Sequence, residues 1–269
     1  MKQEEFFVLV TSISSKVPLL RNIRKALNRF REPGRIIGGD MSENVIGRYF
    51  VDLFWEMPRL VELPVEGLLD YCKHHGVRAI IPTRDGELPY FAQHRDLLAR
   101  EDIHVLISPL AAVESCLDKL VVCERLGGVQ GRHVVPTSES LLDTFGPSYV
   151  VKERFGAGSQ KIAVNVTKEE ALAHAITLEK PIFQPYIPGR EYSVDVYIAK
   201  NGQPKGAVAR TRDLVVGGES QVTTTVRCEL LEKACFKAAA ALGLRGHVIF
   251  QAIESQPNTF HLIECNCRF

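Results

Sequence analysis

Residues 262–268 read LIECNCR, an apolar start followed by alternating polar residues and cysteines. Alternate side chains of a β-strand point to the same side, so a strand here would place Glu264, Asn266 and Arg268 on one face. An arginine in that position can hold a phosphoryl or carboxylate group with two parallel hydrogen bonds. The pattern therefore predicts a strand whose polar face binds an anionic group.

The same face is predicted to hold a metal ion. Gln251, within the apolar segment VIFQAI of residues 248–253, adds a second amide to the carboxylate of Glu264 and the amide of Asn266. One carboxylate oxygen and two amide oxygens, completed by substrate phosphates and water, suit Mg²⁺. The alternative is a polar edge strand that faces solvent, and the pattern of Glu, Asn and Arg behind an apolar strand favours the metal site.

Composition limits the class of protein. The 269 residues are 45% apolar and 24% charged, with a formal net charge of +1, which is typical of an ordinary globular protein of about two domains. Such a balance predicts neither a nucleic-acid nor a membrane partner. Seven scattered cysteines without a CxxC pair predict a reducing, cytoplasmic location. For Cys265 and Cys267, small buried side chains are favoured over a metal or redox role.

The first part of the chain alternates predicted strands and helices. Strands are expected at residues 6–10, 35–39, 77–82 and 104–107, with helical periodicity between them. This alternation predicts an α/β domain, residues 1–110, with a parallel sheet covered on both faces. In such sheets ligands bind beyond the carboxyl ends of the strands. The loop after the third strand contains Arg84, Asp85 and Glu87, which are candidates for ligand contacts or are simply solvated.

The second part of the chain predicts an α+β domain with antiparallel strands. Ser108-Pro109 has the features of a helix start, and that helix is expected to continue to Gly127-Gly128. Thr167 and Glu170 form a capping box that predicts a short helix. Further strands are expected at residues 182–186, 191–199, 205–215, 248–253 and 261–265, with a helix over residues 229–242.

A glycine loop, FGAGS at residues 155–159, lies between predicted strands at residues 149–153 and 161–166. That context is neither a Walker loop nor a Rossmann turn, but a flexible loop between strands can fold its N–H groups over phosphates. A plain hairpin turn is the alternative. Lys152 precedes the loop and can neutralise phosphate charge, unless it is a solvent-facing strand residue.

Residues 184–195 read QPYIPGREYSVD, a strand, a turn at Pro188-Gly189 and a second strand. Glu191 begins the second strand, where its carboxylate can accept hydrogen bonds from a ribose. An exposed glutamate at a strand start is an equally reasonable interpretation.

The order of these features resembles the ATP-grasp superfamily. Asp118-Lys119, the glycine loop, residues 184–191 and the pattern Glu264-x-Asn266-x-Arg268 follow one another as in that superfamily, and the loop PTRDGE at residues 82–87 resembles relatives of the carbamoyl-phosphate synthase large subunit. The resemblance implies an N-terminal parallel-sheet (Rossmann-like) pre-ATP-grasp domain over residues 1–110. It also implies a two-lobed α+β ATP-grasp domain over residues 111–269, with a glycine-lid lobe at about 137–186 and a metal-binding lobe at about 187–269.

The resemblance also implies roles for individual residues around ATP and Mg²⁺ or Mn²⁺. The residues that it places around the nucleotide are Lys119, Lys152, Gly156, Ala157, Gly158, Ser159, Gln184, Pro185, Tyr186, Ile187 and Glu191. Gln251, Glu264 and Asn266 match the metal ligands. Arg268, Lys152 and Arg210 match groups that contact the transferred phosphoryl group or the acyl phosphate, with Arg210 and the nearby Arg212 the looser matches.

Two departures from the superfamily pattern are evident. Cys267 stands where the usual pattern Glu-x-Asn-Pro-Arg has proline, and the chain ends at Phe269, soon after the arginine. The second departure leads us to expect either a partner subunit or homo-oligomer that completes the C-terminal region, or an incomplete enzyme.

The expected activity is ligation of a small carboxylate to an amine, or less favourably a thiol, through an acyl phosphate. The main alternative is an ATP-binding subunit without turnover. A nucleotide-cofactor oxidoreductase is disfavoured, because residues 11–15 read TSISS and lack the GxGxxG signature.

Overall fold

The computed structural model describes residues 5–30, 34–127, 134–156 and 161–269. The chain divides into two compact units. Unit 1 extends to Leu110 and also includes Arg268–Phe269, and unit 2 comprises Ala111–Cys267.

Unit 1 is an α/β unit built on a parallel sheet. Its elements are β1 (Phe6–Thr11), α1 (Val17–Leu27), β2 (Gly34–Asp40), β3 (Leu53–Glu56), α2 (Val65–His74), β4 (Val77–Ile81), α3 (Leu88–Arg100) and β5 (His104–Val105). Within the described residues the strand order is β3-β2-β1-β4-β5, and every pairing is parallel. The predicted parallel sheet is thereby confirmed.

The centre of unit 1 explains why its strands could be predicted. Leu9, Ile36, Ile37 and Ile80 are fully buried, as expected for strands covered on both faces. Strand β3 was not predicted, because it is a four-residue edge strand whose side chains are exposed or half-buried. Its apolar run, Leu53–Trp55, is only three residues long.

Unit 2 is an α+β unit with antiparallel sheets. Its elements are α4 (Leu110–Leu117), α5 (Lys119–Gly127), β6 (Tyr149–Glu153), β7 (Ala163–Val166), α6 (Lys168–Ala175), β8 (Pro181–Pro185), β9 (Arg190–Ile198), β10 (Pro204–Thr211), β11 (Leu214–Val216), β12 (Glu219–Val222), β13 (Thr225–Val226), α7 (Glu229–Ala241), β14 (Gly246–Gln256) and β15 (Thr259–Asn266). The antiparallel strands predicted for this part of the chain are confirmed.

Two sheets of unit 2 carry the predicted site. In the described ranges, one has the order β7-β6-β8 and the other the order β13-β10-β9-β14-β15. Helix α7 packs against β9 and β10 of the larger sheet. The apolar face of that sheet is fully or almost fully buried at Val194, Val196, Val248, Phe250 and Ala252. The opposite face is consequently free of core side chains and can carry polar groups.

One predicted helix is two helices in the structure. The segment that begins near Ser108-Pro109 is interrupted between Leu117 and Lys119. The interruption occurs because the Asp118 carboxylate caps the second helix, accepting hydrogen bonds from the N–H groups of Leu120 (3.0 Å) and Val121 (3.3 Å). Lys119 is the first residue of the capped helix.

The short helix α6 starts as its sequence predicts. The Glu170 carboxylate accepts a hydrogen bond from the N–H of Thr167 (2.8 Å), and the Thr167 hydroxyl accepts one from the N–H of Glu170 (3.3 Å). These reciprocal bonds are the capping box expected from the Thr-x-x-Glu spacing.

None of the helices in the described parts of the chain combines the length and the apolar character that crossing a bilayer requires.

Candidate functional site

The open face of the five-stranded sheet collects the polar residues that the sequence singled out. In β9 and β14, Glu191 is paired with Ile253 and Ser193 with Gln251, while Gln251 is also paired with Glu264 of β15. Directly paired residues of antiparallel strands project to the same side. The register therefore brings side chains from three strands onto one surface, opposite to the apolar core.

The predicted metal ligands lie together on this surface. Gln251 and Glu264 are direct cross-strand neighbours, and the amide nitrogen of Asn266 donates a hydrogen bond to Glu264 Oε1 (3.3 Å). That bond turns the Asn266 carbonyl oxygen away from the carboxylate oxygen. The group thus offers one carboxylate and two amide oxygens from adjacent, half-buried positions, a hard-donor set that fits Mg²⁺ or Mn²⁺.

Lys152 is a buried lysine in β6, with 7% of its surface exposed. Burial lowers its pKa, the carboxylates of Glu264 and Glu191 act in the opposite direction, and the positive charge of Lys119 lowers the pKa further. The interpretation of Lys152 as a solvent-facing strand residue is therefore wrong. Three residues from other parts of the sequence, Glu264, Lys119 and Glu191, thus act electrostatically on Lys152.

Lys119 lies at the first position of α5 and connects that helix with the glycine loop. Its ammonium group donates hydrogen bonds to the backbone carbonyl of Gly156 (2.8 Å) and to that of Arg154 (3.4 Å). Gly156 has a φ of 125°, and no atom lies within 4 Å of the place that a Cβ atom would take there. Glycine is therefore required at this position by conformation and not by crowding. Ala157, Gly158 and Ser159 lie outside the described residues.

An ion pair that the sequence analysis missed fixes the base of this region. The Arg154 guanidinium donates to both carboxylate oxygens of Asp118, at 2.8 and 2.6 Å. Burial raises the pKa of Asp118, but the hydrogen bonds from Arg154 and from the N–H groups of α5 outweigh burial and hold that pKa below its usual value. Asp118, which precedes Lys119, and Arg154, which lies two residues after Lys152, are therefore paired with each other.

The stretch predicted to hold a base lies at the end of β8. Gln184 is buried, and its amide nitrogen donates to the Thr137 hydroxyl (2.8 Å). The N–H of Tyr186 donates to the carbonyl of Ser148 (2.9 Å). Pro185 ends the strand and Ile187 follows it, half-buried. The side chain of Gln184 thus orients the strand end, and Pro185 and Ile187 lie where the chain leaves the sheet.

Glu191, the predicted ribose contact, has a half-exposed side chain that is paired with an arginine. Arg212 Nε donates to Glu191 Oε2 (3.1 Å), and the same guanidinium donates to the Ser193 hydroxyl (3.3 Å) and the Gly218 carbonyl (3.1 Å). The Arg212 side chain is only 7% exposed. Arg212 is therefore a fixed part of this surface and not a solvated strand residue.

Arg210 is held by groups that the sequence analysis did not select. Its Nε donates to Asp195 Oδ2 (2.8 Å), and Asp195 Oδ1 lies 3.2 Å from Nε2 of His247 on β14. Burial raises the pKa of Asp195, but the bonds from His247 and Arg210 outweigh it, so the pKa lies below its usual value. The alternation Glu191-x-Ser193-x-Asp195 in β9 was the sequence signal for these partners.

Arg268 does not belong to the strand that was expected to carry it. Strand β15 ends at Asn266, so the alternation argument that grouped Arg268 with Glu264 does not apply and that part of the prediction is wrong. In unit 1, the Arg268 guanidinium donates to both carboxylate oxygens of Asp85, at 2.5 and 3.1 Å. The prediction missed this ion pair because its partners are 183 residues apart in sequence.

Glu87, a candidate for a ligand contact, is a buried structural carboxylate of unit 1. It accepts hydrogen bonds from the hydroxyls of Thr11 (2.8 Å) and Ser12 (2.9 Å) and from the N–H groups of Thr83 (2.5 Å) and Arg84 (2.9 Å). These bonds tie the carboxyl ends of β1 and β4 together. The interpretation of Glu87 as a solvated loop residue is therefore wrong.

Two family models match separate parts of the chain. Residues 8–106 match the model described as "PylC-like, N-terminal domain", and residues 177–269 match the model described as "ATP-grasp in the biosynthetic pathway with Ter operon". No curated protein matches the chain in sequence.

Solved structures share the fold at low sequence identity. The N5-carboxyaminoimidazole synthetase of Staphylococcus aureus, complexed with ADP, is 17% identical with a TM-score of 0.74, covering 100% of this chain and 72% of its own. The biotin carboxylase domain of the Hydrogenobacter thermophilus 2-oxoglutarate carboxylase, in complex with MgADP, ADP and bicarbonate, is 18% identical with a TM-score of 0.73. This match covers 98% of the present chain and 64% of the Hydrogenobacter chain. The L-amino acid ligase of Bacillus licheniformis is 16% identical with a TM-score of 0.69, covering 100% and 68%.

The chain spans less than two thirds of the length of the Hydrogenobacter domain structure. The two family models cover most of the α/β unit and the strands that carry Gln251, Glu264 and Asn266 in this chain. The fold shared with the solved structures extends over nearly the whole chain. The C-terminal part of the chain therefore matches an ATP-grasp family model, and the chain as a whole shares its fold with these ligases and carboxylases.

Proposed function

We propose that this protein binds Mg-ATP on unit 2 and uses it to join a small carboxylate to an amine through an acyl phosphate. The observation that carries the proposal is the environment of Lys152, a buried ammonium group acted on by Glu264, Lys119 and Glu191. A buried charge is costly unless it has a partner, and a polyphosphate would supply one. We also assign residues 1–110 as the pre-ATP-grasp domain and residues 111–269 as the ATP-grasp domain.

The proposed nucleotide site uses the groups on and around β6, β8 and β9. Lys119 and Lys152 contact the phosphates, and the loop from Gly156 to Ser159 covers them. Residues 184–187 hold the base, largely through backbone groups where the chain leaves β8, and Glu191 accepts hydrogen bonds from the ribose. The structures from Staphylococcus aureus and Hydrogenobacter thermophilus, which contain ADP, support a nucleotide in this fold.

The proposed metal site consists of Gln251, Glu264 and Asn266. When bound, Mg²⁺ offsets negative charge on the phosphate oxygens. The hydrogen bond from Asn266 to Glu264 (3.3 Å) fixes the orientation of both side chains before any ligand arrives. The Hydrogenobacter structure contains MgADP, which supports a magnesium-bound nucleotide here.

The proposed reaction has two steps. A carboxylate oxygen of the substrate attacks the γ-phosphorus, the bond to the bridging oxygen breaks, and ADP leaves. The nitrogen of an amine, or less favourably a thiol sulfur, then attacks the acyl carbon and expels inorganic phosphate. Lys119 and Lys152 stabilise the transferring charge, and closure of the glycine loop excludes water that would hydrolyse the acyl phosphate. The B. licheniformis ligase, which shares the fold, supports the ligase class.

A second candidate is an ATP-binding protein without turnover. The observation that favours it is the engagement of both predicted catalytic arginines, since Arg268 is paired with Asp85 and Arg210 with Asp195. For Arg268 or Arg210 to contact a phosphoryl group, its ion pair would have to break, or the arginine would have to bind the aspartate and the phosphoryl group at the same time. The finer resemblance to carbamoyl-phosphate synthase remains a prediction.

The deciding experiment measures ADP release from ATP and Mg²⁺ across a pool of amino acids and other small carboxylates, with and without ammonium or amines. Wild type is compared with Glu264→Gln, which replaces the only carboxylate among the proposed metal ligands with a neutral amide of the same size. The control is Glu229→Gln, which alters an exposed glutamate on α7 that is paired only with Lys233 in the described structure. Substrate-stimulated ADP release in wild type and control, lost in Glu264→Gln, is expected of a ligase.

The other outcomes separate the two candidates. Metal-dependent ATP binding without stimulated ADP release, in wild type and control, supports the binding protein. Absence of both binding and turnover contradicts the assignment of this surface to a nucleotide. Equal turnover in wild type and Glu264→Gln contradicts the proposed metal site.

A further inference from the structure

Three cysteines of unit 2 form a cluster that the proposed nucleotide site does not use. Cys116 belongs to α4, Cys265 to β15, and Cys267 follows β15 directly. Their sulfur atoms all lie within 4.8 Å of one another, and the residues are 8%, 2% and 4% exposed. Segments far apart in sequence thus place three thiols next to one another in the buried interior.

The position of the cluster relative to β15 follows from strand alternation. Cys265 lies between Glu264 and Asn266 in the strand, so its side chain projects to the opposite side of the sheet from theirs. The burial pattern agrees, since Cys265 is buried while Glu264 and Asn266 are half-buried. The thiols are therefore separated from the proposed magnesium ligands by the strand itself.

The spacing of the sulfur atoms suits a shared metal ion. With metal–sulfur bonds of about 2.3 Å, thiolates around one ion lie about 3.8–4 Å apart. Sulfur atoms within 4.8 Å of one another reach that spacing by small side-chain rotations. A disulfide joins two sulfur atoms at about 2 Å and would leave the third thiol outside the bond, so it does not account for all three.

The ligand type selects the class of ion. Thiolates are soft ligands that favour Cu(I) and Zn²⁺ over hard ions such as Mg²⁺. Among the described residues, the only group of three or more side chains from His, Cys, Asp and Glu with metal-ligand spacing is this trio, so it contains no fourth such ligand. Zn²⁺ ordinarily takes four ligands, whereas Cu(I) is stable with three sulfur ligands in a plane.

We propose that Cys116, Cys265 and Cys267 form a binding site for one soft, closed-shell cation, with Cu(I) preferred to Zn²⁺. Binding breaks three S–H bonds, forms three metal–sulfur bonds and releases three protons to solvent, without any change of oxidation state. The proposal gives a role to Cys267, which stands where the superfamily pattern has proline. It does not depend on the proposed ligase activity.

The test uses the full chain, purified reduced and stripped of metal by a chelator. Cu(I) is titrated under anaerobic conditions against a chromophoric Cu(I) chelator, and Zn²⁺ is titrated separately against a zinc indicator. We expect one Cu(I) per chain, a thiolate-to-copper charge-transfer band in the near ultraviolet, and weaker retention of Zn²⁺. The metal-loaded protein should also have a higher Tm than the stripped protein, because only the folded state brings the three thiols together.

Two variants assign the ion to this cluster. Cys116→Ala removes one ligand, and its affinity should fall by at least about 100-fold, because loss of supporting groups alone costs metal sites about 10–100-fold. Cys235→Ala is the matched control, since Cys235 is a buried thiol of unit 2 on α7 that is not in the cluster. The control should retain wild-type affinity. If Cys116→Ala does not fold by circular dichroism, Cys267→Ala takes its place.

Three results would overturn the proposal. The first is failure of the reduced, folded wild type to retain either ion against its chelator. The second is equal affinity in wild type and in a folded cluster variant, which would mean that the ion binds elsewhere. The third is Zn²⁺ or Cu(I) binding that is lost equally in Cys235→Ala.

Discussion

Lys152 is buried although its positive charge opposes burial. The pKa of this lysine is lowered, mainly because desolvation disfavours the ammonium form, so the protonated group reduces the stability of the fold at neutral pH. Glu264 and Glu191 offset only part of this effect. A residue that is retained at such a cost to stability is a candidate for function.

Lys152→Met is therefore expected to weaken nucleotide binding without destabilising the protein. Methionine fills a similar volume with no charge, so the free energy of unfolding should stay the same or rise. Affinity for Mg-ATP should fall about 10- to 100-fold, as expected for loss of one charged hydrogen bond of about 1.5–3 kcal/mol. Urea unfolding and calorimetric titration measure the two quantities, with the exposed Lys205→Met as control. Lower stability with unchanged affinity would mean that Lys152 is structural.

Asp118 makes the opposite contribution to stability. Its carboxylate is paired with Arg154 at 2.6 and 2.8 Å and caps α5, and its pKa lies below the usual 3.8. Between the two pKa values the unfolded chain binds more protons than the folded chain, so stability rises with pH there. The contribution of Asp118 is complete above about pH 4 to 5 and is lost as the pH falls through the folded-state pKa.

Asp118→Asn should consequently lower the free energy of unfolding by about 2 kcal/mol at pH 7. The difference from wild type should shrink as the pH falls below about 4, because the wild-type carboxyl then also becomes neutral. Denaturant unfolding at pH 7, 5, 4 and 3 measures this trend. Asp96→Asn, which alters an exposed carboxylate with 80% of its side chain accessible, should show no such pH dependence. A difference that is constant with pH would contradict the role of the charge.

At the scale of elements, the turn between β8 and β9 approaches β14 closely. A Cβ atom at Gly189 would collide with the carbonyl oxygen of Glu254 and would lie 2.7 Å from a methyl group of Ile253. The first of these neighbours is backbone and cannot rotate away. Glycine at this position therefore allows the turn that follows residues 184–187 to pack against the sheet.

Gly189→Ala is expected to destabilise unit 2 by about 1–3 kcal/mol, the usual range for overpacking. It should also weaken Mg-ATP binding, because residues 184–187 would shift with the turn. Gly206→Ala in β10 is the matched control, since no atom lies within 4 Å of its Cβ position, and its stability should be unchanged or slightly higher. Thermal unfolding of both variants tests the contrast, and equal effects at the two glycines would contradict the argument.

Elements with a strong local pattern could be predicted, whereas distant partners could not. The capping box at Thr167 and Glu170 was predicted because all of its atoms lie within four residues. The break at Asp118 had a local signal, an aspartate that can cap a helix, but the predicted helix was extended from Ser108-Pro109 to the stop signal at Gly127-Gly128. The partners of Arg154 and Arg268 had no such signal, because they lie 36 and 183 residues away.

At the scale of the molecule, the candidate site could be predicted where strand alternation and register agree. Glu264 and Asn266 were grouped from strand alternation, and Gln251 was added as a further oxygen ligand. The β14–β15 register places Gln251 directly opposite Glu264. The sequence did not show that Cys116 joins Cys265 and Cys267, because the contact is between a helix and a strand far apart in the chain. Local periodicity therefore specifies faces of elements, and tertiary packing specifies which faces meet.

Ligand binding to the folded molecule should raise its thermal stability whether or not the protein turns over ATP. A ligand at 100 times its Kd stabilises the folded state by about 2.7 kcal/mol, which corresponds to a Tm increase of about 5–10 °C for a unit of this size. We expect that increase with a non-hydrolysable ATP analogue and Mg²⁺, and a smaller one when EDTA replaces the metal. Glu264→Gln should lose most of the metal-dependent part, and Glu229→Gln should retain it. An identical increase in Glu264→Gln and wild type would contradict the role of Glu264 as a metal ligand. An increase in a wild-type protein that releases no ADP from ATP in the separate assay with the substrate pool would support a nucleotide-binding protein without turnover.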